Sequence, residues 1–287
     1  MCQIGPMSDP ISETGFLSRP DGARLFWRAK RPGVGTAKAL VVLSHGVAEH
    51  SGRYAHVIDH LAGAGYACIA VDHRGHGQSS GARVFVERFR QYTDDLQAIV
   101  ATGQQHAPGK KVVVLGHSMG GLIAIQHLID HAGVAELAVL SGPGLGIAVP
   151  VPNWKDALGR VMSKVWPGLA IPTGIPPELV SRDPAVVKAY KDDPMVTKNA
   201  TARWYTEFLG AQARAFDKAG AIKLPLLTVY GGEDKLVSTD AIQRWFRSIA
   251  SADKTLTPYP ALFHEVMNEP EKATVLGDIT RWLDARV

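Results

Sequence analysis

The segment Lys111-Val-Val-Val-Leu-Gly-His-Ser-Met-Gly-Gly121 constrains the fold more than any other stretch of the chain. Its apolar start suits a strand buried on both faces, and Leu122 to Ile129 continues in helical fashion. A chain that passes from buried strand to helix through Gly116-His-Ser-Met-Gly120 turns within very few residues, which requires side chains too small to obstruct the backbone. G-x-S-x-G in that context lifts the serine hydroxyl onto a strained turn. The helix starting there aims its amide donors at developing negative charge. Ser118 is therefore the candidate nucleophile, and a glycine-rich packing turn is the bland alternative.

The same strand-then-helix rhythm recurs along the chain and predicts an α/β architecture. Strands are expected at Ala39 to Leu43, Ala67 to Val71, Lys111 to Leu115, Leu137 to Leu140, Leu224 to Tyr230 and Lys254 to Pro258. Gly15 to Lys30 reads as a hairpin around Pro20-Asp21-Gly22, giving the sheet an antiparallel edge. Helices fit Arg53 to Ala64, Val86 to His106, Met119 to His131, Asp240 to Ala250 and Pro270 to Arg286. Residues 1–14 read as a disordered tail, and 15–141 with 224–287 as the α/β core.

From 142 to 223 the rhythm stops, in a stretch rich in Pro, Gly, Trp and Met. It is read as a cap or lid inserted between two strands. Within it Trp154, Leu158, Val161, Met162, Val165 and Leu169 recur near helical spacing, flanked by Lys155, Arg160 and Lys164. That stripe either packs on the core or lines a ligand tunnel and touches a lipid surface, since Trp with basic flanks suits an interface.

Composition excludes several classes. The longest apolar runs fall short of the ~18–20 residues of a membrane-spanning helix. The first sixteen residues lack the basic start and apolar core of a secretory signal. The two cysteines, Cys2 and Cys68, do not form a disulfide framework, and Cys68 is expected to be a buried free thiol. These features point to the cytoplasm, with room for peripheral membrane contact. Net charge is +4 with the basic residues scattered, which argues against nucleic acid.

If Ser118 is the nucleophile, an acid and then a histidine should follow it in the chain. Of the three histidines after Ser118, His127 and His131 lie on the helix running away from the turn, leaving His264 as the base. The acid belongs to Tyr230-Gly-Gly-Glu-Asp-Lys235, where Asp234 is favoured over Glu233 and Asp240. A carboxylate there would hold the imidazole tautomer and stabilise the imidazolium. Oxyanion donors are expected from the amide of Met119 and, in the loop Ser44-His-Gly-Val-Ala-Glu-His50, from that of Val47. Glu49 and Arg53, four residues apart beside that loop, form either a hydroxyl-binding pair or a structural ion pair. Asp72, His73, Arg74 and His76 look catalytic by composition but fit a loop-fixing role.

These residues carry a resemblance. His45-Gly-Val-Ala-Glu-His-Ser-Gly-Arg-Tyr54, Asp72-His-Arg-Gly-His-Gly-Gln-Ser79, Gly116-His-Ser-Met-Gly-Gly121, Ser181-Arg-Asp-Pro184 with Tyr190 and Asp193-Pro194, and His264-Glu-Val-Met-Asn-Glu-Pro270 together resemble the monoacylglycerol lipases of the α/β-hydrolase superfamily, in their bacterial form. The resemblance implies a mostly parallel sheet flanked by helices with a helical lid, and the triad Ser118, Asp234 and His264. It also implies Val47 and Met119 as oxyanion donors, and Glu49, Arg53 and Tyr190 at the glycerol end of a pocket. Leu158, Val161 and Met162 of the insertion are expected to line the acyl side. Met267 and Asn268 stand where animal members carry a second histidine.

The expected activity is hydrolysis of monoacylglycerol through an acyl-enzyme, without cofactor or metal, on a small lipid substrate with transient lid contact to a membrane or micelle. Lysophospholipase, general carboxylesterase and acyltransferase activities are the alternatives. A ligand-binding receptor of the same fold is the alternative outside enzymes.

Overall fold

The computed structural model describes residues 10–33, 35–149 and 152–287. Cys2 and most of the expected tail fall outside the described residues. Strands β1 (Ile11–Ser18) and β2 (Arg24–Arg31) form the hairpin, with Phe16 opposite Phe26 and Leu17 opposite Leu25. Its turn is closed by Arg19 N–H donating to Ala23 O at 2.7 Å, with Gly22 at φ 84°. Residues 11–14 are thus strand rather than tail. Their half-exposed pattern concealed this, because a ladder to residues 28–31, not burial, holds them in place.

Strand β3 (Leu40–Ser44) leads through a 3₁₀ turn into helix α1 (Ala55–Gly63), then β4 (Ala67–Val71), α2 (Arg90–His106), β5 (Val112–His117), α3 (Met119–Asp130) and β6 (Leu137–Ser141). After the insertion come β9 (Leu226–Gly231), α7 (Thr239–Ser248), β10 (Lys254–Tyr259) and α8 (Lys272–Asp284). The insertion itself holds α4 (Asn153–Val165), β7 (Ala170–Pro172), α5 (Pro184–Asp192), β8 (Asn199–Thr201) and α6 (Ala202–Asp217). The eight-stranded sheet runs β1-β2-β4-β3-β5-β6-β9-β10, antiparallel at its first two junctions and parallel thereafter.

The continuous apolar runs follow from burial of both sheet faces. In β3, Leu40 and Val42 join the cluster under α2, α3, α6 and α7, whereas Val41 and Leu43 join that under α1 and α8. Parallel strands present their carboxyl ends at one edge, so Ser44, His117, Ser141 and Gly231 bring their following loops together. Helix α2 starts later than Val86 because Gln91 Oε1 accepts from the Glu87 and Arg88 amides, capping an irregular turn first.

β6 and β9 are adjacent in the sheet, so the insertion leaves and rejoins it between neighbours. Its last helix, α6, is part of the core, with Trp204, Phe208, Ala211 and Ala215 buried in the α2–α3 cluster. Helix α4 does not pack its apolar stripe on the core, the first of the two alternatives. Its buried residues are Gly159 and Ser163, the latter hydrogen-bonded to Thr206 at 2.7 Å. Trp154, Val161 and Val165 are 65, 53 and 73% exposed. Small residues let α4 lie close on α6, where Tyr205 donates to Asp156 at 2.9 Å, and the apolar stripe turns outward.

The Asp72 segment fixes a loop, as expected. Asp72 Oδ1 accepts from Ser51 N–H at 2.8 Å and Ser51 Oγ at 2.6 Å, and Oδ2 accepts from the Gln78 amide at 2.8 Å. Arg74 is paired with buried Asp95 at 2.6 and 2.8 Å. His45, His73 and His76 pack together, and burial first of all drives His45 down to about 4 and His76 to about 3, so they stay neutral. Asp72→Asn places an amide donor against a backbone donor and should cost about 2–4 kcal/mol of stability. Urea denaturation should show the midpoint falling with an unchanged slope.

Candidate active site

Ser118 sits between β5 and α3 at φ 54°, ψ −120°, a conformation costly for any residue with a Cβ. Its amide donates to Ser141 O at 3.0 Å, and its carbonyl accepts from Gly144 N at 2.8 Å and Leu122 N at 3.1 Å. The flanking glycines are sterically required. A Cβ at Gly116 would lie 2.4 Å from Gly120 O, and one at Gly120 would lie 2.1 Å from Ser44 O.

The candidate acid and base arrive on loops that clasp each other. Glu233 N–H donates to Leu262 O at 3.0 Å, and a Cβ at Gly231 would strike Phe263 O at 2.1 Å. Asp234 Oδ2 meets His264 Nδ1 at 2.7 Å, and its other oxygen accepts from the Leu236 and Val237 amides at 2.8 and 2.9 Å. Glu233 is exposed, so Asp234 is the partner. Burial pushes the Asp234 carboxyl up, but the imidazole and the two amides outweigh it and hold it low. Burial pushes His264 down, yet Asp234, with Glu265 and Glu49 behind it, leaves it raised. No hydrogen bond joins Ser118 to His264 in this geometry, but both line one cavity. Such bonds often tighten only around substrate.

Val47 and Met119 also line that cavity, and their amides have no acceptor among the described residues. The loop bearing Val47 is fixed from beneath: His45 Nε2 accepts from His73 N–H at 3.0 Å, leaving Nδ1 to donate to Gly46 O at 2.7 Å, and Gly46 N–H donates to Glu49 Oε1 at 2.6 Å.

The cavity has a volume of about 580 Å³. Leu158, Leu169, Ile171, Trp204 and Phe208 give it an apolar wall; Glu49, Tyr190 and Glu265 give it a polar end. Of the insertion residues expected there, Leu158 lines it, whereas Val161, which α4 turns outward, and the half-buried Met162 do not.

Glu49 and Arg53 are bonded to each other, and the structure adds Glu265, whose carboxylate takes Arg53 Nη1 and Nη2 at 2.7 Å each. Tyr54 O–H donates to Glu49 at 2.6 Å, and the Arg53 guanidinium lies 4.7 Å from the Tyr190 ring centroid. Asn268 donates to Glu265 at 2.8 Å, while Met267 is buried in the core. Sequence reading passed over Glu265; its one signal was a charge directly after the base in a loop bound for the sheet edge. His117, missed likewise, lies 4.7 Å from His264 ring to ring, and burial keeps it near 4.

The second half of the insertion is stitched to the loop after β3 and to the loop carrying His264. Glu265 N–H donates to Val180 O at 2.8 Å, and Thr197 N–H to Ala48 O at 2.9 Å. His50 Nε2 meets Asp193 at 2.9 Å, and Arg182 meets Glu269 at 3.0 Å.

Comparison with known proteins agrees with this architecture. The family described as Serine aminopeptidase, S33, matches residues 35–271. A monoacylglycerol lipase of Mycolicibacterium smegmatis is 38% identical over 86% of this chain and 88% of its own. Phospholipase YtpA of Bacillus subtilis is 31% identical over 87% of this chain and 94% of its own. The crystal structure of a monoacylglycerol lipase from Paleococcus ferrophilus superposes with a TM-score of 0.83 at 30% identity, covering 92% of this chain and 99% of that one. No helix of the described residues is long and apolar enough to cross a membrane. With a mostly parallel sheet, a serine on a strained strand–helix turn and these relatives, the chain belongs to the serine aminopeptidase S33 family of α/β-hydrolases, as a serine hydrolase of the monoacylglycerol lipase type.

Proposed function

We propose that the chain hydrolyses monoacylglycerols to fatty acid and glycerol, with Ser118 as nucleophile, His264 as general base and then acid, and Asp234 holding its tautomer. The observation that carries this reading is the joint lining of one cavity by Ser118, the His264 paired with Asp234, an apolar wall and a polar end. Ser118 attacks the ester carbonyl as His264 takes its proton, and the tetrahedral oxyanion is met by the Val47 and Met119 amides. Collapse releases glycerol, which takes the proton from His264, and water then repeats the sequence on the acyl-enzyme. Related monoacylglycerol lipases support the substrate class. The phospholipase among the relatives favours lysophospholipids as the second reading.

In this reading α4 is a lid. Its exposed stripe of Trp154, Leu158, Val161 and Val165, with Lys155, Arg160 and Lys164 beside it, docks on a lipid surface, since an apolar patch with cationic flanks partitions to such interfaces.

Four outcomes are expected. Ser118→Ala should remove about 10⁴–10⁶ of kcat in a folded protein, and a fluorophosphonate should add once, to Ser118, by intact mass. Labelling elsewhere, or a fully active alanine variant, would overturn the assignment. Asp234→Asn should cost about 10²–10⁴ in kcat, far more than Glu233→Gln. Because a raised pKa keeps His264 protonated to higher pH and a base must be neutral, kcat/KM should climb with pH through a midpoint above the ordinary imidazole value. Val161→Asp and Val165→Asp should weaken activity on vesicle-borne monoacylglycerol at least ~5-fold while sparing soluble short-chain esters, since about 25 cal/mol is lost per Å² of apolar contact. Leu158→Asp, which also lines the cavity, should impair both. Equal losses on both substrates for the Val161 and Val165 variants would show that the stripe does not dock.

A further inference from the structure

The polar end of the cavity carries a charge, and its sign bears on which head groups it admits. Glu49, Arg53 and Glu265 are each largely buried, with side-chain exposures of 3, 9 and 5%, and sum to one formal negative charge. The arginine cannot answer an incoming anion. Its Nη1 is shared between Glu49 and Glu265, its Nη2 is held by Glu265 at 2.7 Å, and the guanidinium carbon stands 4.7 Å from the centre of the Tyr190 ring. Releasing it would strand two buried carboxylates, a heavy cost.

This charge lies beside the reacting atoms. The Glu49 carboxylate and Ser118 Cβ both come within 3.2 Å of the point that a Cβ on Gly46 would occupy, and Glu265 follows His264 directly in the chain. Among the cavity-lining residues the one lysine or arginine is Lys155, on α4 beside Trp154, away from the array. A leaving alcohol that takes its proton from His264 departs alongside the two carboxylates.

We infer that Glu265, through the buried Glu49–Arg53–Glu265 array, is a specificity-determining residue that bars esters with anionic head groups and admits neutral and cationic ones. The inference rests on the ester-hydrolase reading above and sharpens its substrate class. A neutral glycerol can donate its hydroxyl protons to carboxylate oxygens, and a trimethylammonium group gains attraction from the same charge and from the Tyr190 ring. A phosphate meets repulsion there, and the array's own cation, Arg53, is already taken up by both carboxylates. Like charges about 6–7 Å apart at an effective dielectric near 20 separate rates by about 10²-fold.

The test uses the full chain and three octanoyl esters soluble as monomers, those of glycerol, of choline and of glycerol 3-phosphate. The glycerol phosphate ester should be cleaved about 10²-fold less efficiently in kcat/KM than the glycerol ester, with the choline ester within tenfold of it. Because the charge is buried, that gap should survive at roughly 0.5 M salt, where exposed charges are screened within a few ångströms. Glu265→Gln, checked for folding by thermal melting, should narrow the gap about tenfold without raising the glycerol rate. A gap below threefold, one erased by salt, or one unchanged in folded Glu265→Gln would overturn the inference. Should Glu265→Gln fail to fold, the salt-resistant gap in the parent decides alone. Cleavage of all three esters without discrimination sinks the charge argument only. Cleavage of none sinks the hydrolase reading and the inference with it.

Discussion

A helix that starts almost on top of two strands is the constraint from which the rest of this molecule follows. Gly116 and Gly120 let the first turn of α3 settle against β5 and against Ser44 at the end of β3, and the crowding forces Ser118 into its positive φ. The serine is thereby lifted clear of the sheet. The same contact brings the loop after β3 beside the start of α3, so the two proposed oxyanion donors, Val47 and Met119, face one cavity although 72 residues separate them. Strain at one residue and pre-organisation of the site are two descriptions of a single packing event.

Around that event the electrostatics are layered. His264 is held by one buried carboxylate and biased by two more, while His117, His45 and His76 are kept neutral by burial. Of these four imidazoles only that of His264 is raised.

Most of this was legible in the sequence wherever a local rule governs. Strands buried on both faces announce themselves as unbroken apolar runs, and the turn at Ser118 as glycine spacing. The order serine, acid, histidine left His264 by elimination, and the exposure of Glu233 then separates it from Asp234. What sequence reading missed depends on long-range pairing. Residues 11–14 become strand only because residues 28–31 lie opposite. Glu265 matters only because Arg53 reaches it across 212 positions. The stripe on α4 left two alternatives open because apolar periodicity identifies a face without saying what that face meets, and here Gly159 and Ser163 supply the inner contact.

The stitches between the insertion and the catalytic loops divide that segment in two. Val180, Arg182, Asp193 and Thr197 are tied to the loops carrying His264, Glu265 and Ala48, whereas α4 rests on α6 through small side chains and a few hydrogen bonds. Substitutions near the stitches would disturb the chemistry and be eliminated, while those on the outer side of α4 would alter only the surface the protein visits. One insertion can therefore evolve at two speeds, adapting where substrate is collected without retuning how it is cleaved.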